Sequence, residues 1–118
     1  MNYRQTTQIL NIFIKVKDVE RLISLAEIAW KSGNARQAII WAKAALREPT
    51  TAERAVALRI FIARAYAKLG RFAESNTIYR ALLTEKNYIP PVIMGLLYNN
   101  FNNPVKANGN VKLVKLYV

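Results

Sequence analysis

The sequence predicts an all-α protein built from antiparallel helical hairpins. Three observations carry this. Apolar and small residues recur at three- and four-residue steps through successive segments. Single glycines, Gly33 and Gly70, stand between paired segments, where a left-handed residue ends a helix. Thr51 and Asp18 stand as N-caps where helical patterns begin.

Residues 1–17 read as a leader with Ile9, Ile12, Phe13 and Val16 at helical spacing, so a short amphipathic helix is expected. Asp18 is the expected N-cap of the next helix, whose packing face is Leu22, Leu25, Ala26, Ala29 and Trp30. Ser32-Gly33-Asn34 stops it. A second helix, Ala35 to about Arg47, should pack through Ala38, Ile39, Ala42, Ala45 and Leu46. Pro49 ends that pattern, because proline lacks the amide hydrogen a helix interior needs.

The third helix is expected from about Ala52 to Leu69, with Leu58, Ile62, Ala65, Tyr66 and Leu69 buried. Gly70 terminates it. The fourth, about Arg71 to Glu85, packs through Phe72, Ile78, Tyr79 and Leu82. Asn87 to Pro91 reads as a loop, and a fifth helix begins at the prolines and carries Val92 to Asn100. Asn102-Asn103-Pro104 is a turn, and Asn108-Gly109-Asn110 interrupts any helix in the tail, 105–118.

Composition narrows the chemistry. The chain of 118 residues suffices for one modest core and is 53% hydrophobic, too apolar for a disordered chain. It contains no cysteine and no histidine. That removes disulfides, thiolate chemistry, the commonest general base and the commonest metal ligand, so no cofactor or metal is expected. The seven acidic residues are scattered singly and the four glycines stand alone, so neither a carboxylate pair nor a phosphate loop is visible. An enzyme is not expected. With 18 Lys and Arg the net charge is +11, which favours acidic partners or nucleic acid, or simply a solvated basic surface. Ile12-Phe13-Ile14 is too short for a signal segment or membrane span, so a cytoplasmic or otherwise intracellular protein with no membrane partner is expected.

The hairpins repeat. Leu25-Ala26 and Ala29 are followed by Ala38, Ala42 and Ala45; Ile62-Ala63 and Tyr66 by Ser75 and Tyr79; Met94-Gly95 and Tyr98 by Ala107 and Val111. Ala26, Ala63 and Gly95 are 37 and 32 residues apart. The pattern resembles the tetratricopeptide repeat, whose unit is about 34 residues, with small residues where paired helices approach most closely. On that reading 18–49, 52–87 and a degenerate 88–118 are three repeats. The resemblance implies hairpins stacked as a short right-handed solenoid. A plain up-down bundle is the alternative, differing only in how hairpins pack on one another.

In the family the first helix of each pair lines a concave groove. Carried over, the groove residues here are Ile23, Glu27, Trp30 and Lys31 in the first unit, and Ala57, Ile60, Phe61, Arg64 and Lys68 in the second. An apolar patch rimmed by cations suits an acidic or amphipathic peptide. Some members clamp a partner's terminal carboxylates with Lys and Asn on this face. Here Ile23 and Glu27 take the first-unit places and Phe61 the second-unit Asn place, so that clamp is not expected. The function implied is protein binding, as an adaptor, a chaperone-like module or a subunit of a larger assembly. A basic nucleic-acid-binding protein is the alternative, through Arg54, Arg59, Arg64, Lys68 and Arg71. The apolar leader and tail point to a homodimer or a larger complex; folding back onto the first hairpin and fifth helix would instead close the domain.

Overall fold

The computed structural model describes residues 18–103, and all regular structure among them is helical. Five helices follow one another: α1 through residues 18–31, α2 Ala35–Leu46, α3 Ala52–Lys68, α4 Phe72–Thr84 and α5 Pro90–Asn102. The leader, 1–17, and the tail that carries Ala107 and Val111 lie outside the described residues. Two compact units divide the chain, one running to Leu58 and the other from Arg59, so that α3 contributes to both.

In the first unit, α1 ends in a Schellman turn. The Gly33 amide donates to the Trp30 carbonyl and the Asn34 amide to that of Ala29, at 3.0 and 2.9 Å. Gly33 takes φ +80, which an L side chain resists. Asn34 then caps α2, its side-chain oxygen accepting from the Gln37 amide at 3.1 Å. Three residues thus join the helices, the connection of an αα-hairpin. The buried stripe of α2 is Ala35, Ala38, Ile39, Ala42 and Ala45. On α1 the buried residues are Val19, Ala26 and Ala29, while Leu22, Leu25 and Trp30 are half-buried. Asp18 is already helical, so it is not the N-cap expected of it. Thr51 does cap α3, accepting from the Arg54 amide at 3.1 Å.

The second unit packs α3, α4 and α5 in antiparallel order. From the open end of the α3–α4 hairpin to its turn, Arg59 meets Glu85, Ala63 meets Ser75 and Tyr66 meets Arg71. Between α4 and α5, Ser75 and Asn76 meet Asn99, and Tyr79 meets Gly95. Gly70 repeats the geometry of Gly33: φ is +76, its amide donates to the Ala67 carbonyl, and the Arg71 amide to that of Tyr66. The same two bonds close α4, from Lys86 to Leu83 and from Asn87 to Leu82, with Lys86 held at φ +66.

The expected stripe of α3 is buried at Leu58, Ile62, Ala65 and Tyr66 and extends to Ala63 and Ala67, while Leu69, at the helix end, is only half-buried. On α4, Tyr79 and Leu82 are buried as expected, Phe72 and Ile78 only half-buried, and Leu83 joins the core. The prolines differ from the loop expected through Pro91: Pro90 and Pro91 form the first turn of α5 behind Ile89 as N-cap. First-turn amides have no intrahelical acceptor, so proline costs nothing there.

Candidate functional site

α3 is embedded on most of its circumference. Leu58, Ile62, Ala63, Ala65, Tyr66 and Ala67 are all buried. The remaining face carries Ile60, Arg64 and Lys68 at four-residue steps, with Phe61 beside them. Ile60 and Phe61 are half-buried, while Arg64, Lys68 and Ala57 are exposed. The helix therefore presents cations beside partly covered apolar groups.

Arg64 also acts inward. Burial pushes the Tyr79 hydroxyl up to about 12, and the positive charge of Arg64 pulls it partly back. Two other arginines of the basic cluster are neutralised. Arg59 and Glu85 form a two-pronged pair, Nη1 to Oε1 at 2.8 Å and Nη2 to Oε2 at 2.6 Å. Those bonds hold the Glu85 carboxyl below, and the Arg59 guanidinium above, its ordinary value. Arg71 bonds Glu74, also lowering that carboxyl, and lies 5.1 Å from the Tyr66 ring centroid.

On α1, Ile23, Glu27 and Trp30 share one face at steps of four and three, with Lys31 adjacent. Ile23 and Trp30 are half-buried; Glu27 and Lys31 are exposed. This set belongs to the first unit, and the α3 set from Ile60 to Lys68 to the second. Among the described residues no group of acidic side chains is arranged to hold a metal ion, and no helix is long and apolar enough to cross a membrane.

Two features were not anticipated from the sequence. Asn76 and Asn99 are 2% and 0% exposed, in places where helical periodicity expects apolar side chains. Both lie three residues from a buried apolar group, Tyr79 and Leu96, and that spacing was the available signal. The other is α5, which exposes Met94, Tyr98 and Phe101. No protein-family model, curated protein or solved structure matches this chain.

Proposed function

We propose that the protein is a protein-binding module of tetratricopeptide-like hairpins, an adaptor or assembly subunit that takes an acidic or amphipathic peptide segment. The observation that carries this is the outward face of α3, where Ile60 and Phe61 stand beside exposed Arg64 and Lys68. An amphipathic helix with acidic flanks is complementary to such a face: its apolar side meets Phe61 and Ile60, its carboxylates the cations. The α1 set, Ile23, Glu27, Trp30 and Lys31, is proposed as a separate contact face of the first unit. Stacking of the hairpins as a right-handed solenoid is part of the proposal, as are binding without catalysis and an intracellular location.

Two observations favour peptide over nucleic acid. Arg59 and Arg71 are ion-paired, which removes two charges from the cluster that would contact phosphates. The apolar groups at the centre of the face also have no role in phosphate contact.

The test is fluorescence anisotropy with a labelled acidic amphipathic peptide and, separately, a labelled DNA duplex. Phe61→Ala should weaken peptide binding about tenfold or more, as loss of an apolar anchor does. Arg64→Glu with Lys68→Glu should abolish it. Tight duplex binding that ignores Phe61→Ala would replace this reading with the nucleic-acid one.

A further inference from the structure

The exposed apolar side chains gather at one place. Of the seven large ones exposed among the described residues, five lie between Tyr88 and Phe101. Within α5, Met94, Tyr98 and Phe101 are 63%, 52% and 81% exposed. Steps of four and three put them on one side of the helix, opposite the buried Val92, Leu96 and Asn99. A contiguous apolar patch of this kind marks a surface that a partner covers.

Charge narrows what that partner is. The 13 residues of α5 include no Asp, Glu, Lys or Arg, so the face is uncharged at neutral pH. Among the five described helices α5 alone has no charged side chain. The chain as a whole carries +11. A partner of complementary charge finds nothing on α5 to pair with, and its own charges would lose water there without compensation. A second copy is the opposite case. In a two-fold pair each residue near the axis faces its own counterpart. A cation there would meet a cation, whereas Met, Tyr and Phe meet groups they can pack against. Two chains of +11 therefore meet with least repulsion through the helix that brings no charge.

The area sets the strength. Taking about 200 Å² for a large side chain, Met94, Tyr98 and Phe101 leave roughly 400 Å² open per copy, and Tyr88 and Ile89 raise this to roughly 600 Å². Two copies would cover about 1,200 Å², the lower edge of stable interfaces. Such a dimer is weak and forms in the micromolar range.

We infer that α5 pairs with its own counterpart in a second copy of the chain, across Met94, Tyr98 and Phe101, as a two-fold dimer. The inference goes beyond the peptide-binding reading and is independent of the α3 face.

Sedimentation of the full chain from low to high micromolar concentration is the test. A concentration-dependent shift from monomer to dimer is expected. Met94→Ser with Phe101→Ser should weaken the dimer about tenfold or more, with the circular dichroism spectrum unchanged. Ile28→Ser with Ile40→Ser removes exposed apolar side chains of the first unit and should leave the dimer as it was. Raising the salt concentration should tighten the dimer, because the charges that remain are alike and become screened. The chain has no native cysteine, so single cysteines report the pairing cleanly. Tyr98→Cys, the middle residue of the three, should link to its counterpart between copies through a short bis-maleimide, and Ile40→Cys should not. A monomer at every concentration would overturn the inference, whatever then covers α5. So would a dimer that survives the Met94 and Phe101 replacements, one that loosens in salt as a charge-complementary contact does, or one linked through Ile40→Cys instead.

Discussion

Asn99 of α5 donates from Nδ2 to Ser75 Oγ on α4 at 2.8 Å, and that same hydroxyl donates to the Ala63 carbonyl of α3 at 2.7 Å. One small side chain thus ties three helices together. Asn99 Nδ2 also bonds Asn76 Oδ1 at 2.8 Å, so the amide's two hydrogens are both used.

Removing this contact should cost stability in a graded way. Ser75→Ala is expected to lose about 1 kcal/mol, the net worth of an ordinary hydrogen bond. Asn99→Leu is expected to lose about 1–3 kcal/mol, because it strands buried acceptors at Asn76 and Ser75. The two losses should not add, since both act on one network. Urea denaturation of the two single variants and the double variant reads all three values. Full additivity would show that the two side chains are not coupled.

Gly95 offers a test whose sign is decisive. A Cβ built there would overlap the Tyr79 ring at Cζ, inside any tolerable contact. In an open helix, Gly→Ala stabilises by roughly 1 kcal/mol. Here overpacking should win, and Gly95→Ala should destabilise by on the order of 1–3 kcal/mol. Adding Tyr79→Leu should recover part of that loss. A more stable Gly95→Ala protein would mean that α4 and α5 do not approach as described.

The three left-handed turn residues make a matched set. Nothing lies within 4 Å of a Cβ built on Gly33 or Gly70, so alanine there meets only the backbone penalty. Each substitution should cost about 1–2 kcal/mol. Lys86 already bears that penalty at φ +66, so Lys86→Gly should raise the thermal midpoint. Opposite shifts at the two kinds of site, measured by circular dichroism melts, are the expected outcome.

The Arg59–Glu85 pair predicts a pH dependence. The Arg59 bond lowers the folded-state pKa of Glu85 below its unfolded value. Its stabilisation is therefore fully present above the ordinary carboxylate range and fades as pH falls through the depressed folded value. Glu85→Gln should lower the urea midpoint slightly at neutral pH. The two proteins should converge in acid, once both states of the wild type are protonated there. A difference that persists unchanged at pH 2 would assign the effect to something other than the charge.

Much of this fold was legible in the sequence because the signals are local. A Schellman turn is written in the glycine and the apolar turn before it, and Gly33 and Gly70 were readable without knowing what they pack against. The start of α3 at Ala52 follows from Thr51, the cap one residue before it. The close approach at Ala63 and Ser75 was readable because only small residues permit it. Tertiary structure decided the rest. Asn76 and Asn99 became core residues because partners 23 and 24 positions apart in sequence meet across α4 and α5. Arg59 and Glu85, 26 apart, became a pair rather than two surface charges for the same reason. Which side of α5 stays open was likewise undetermined by its own 13 residues, whose apolar groups nearly encircle the helix. A helix's periodicity says which faces can be buried; only the neighbouring chain that arrives fixes which of them are.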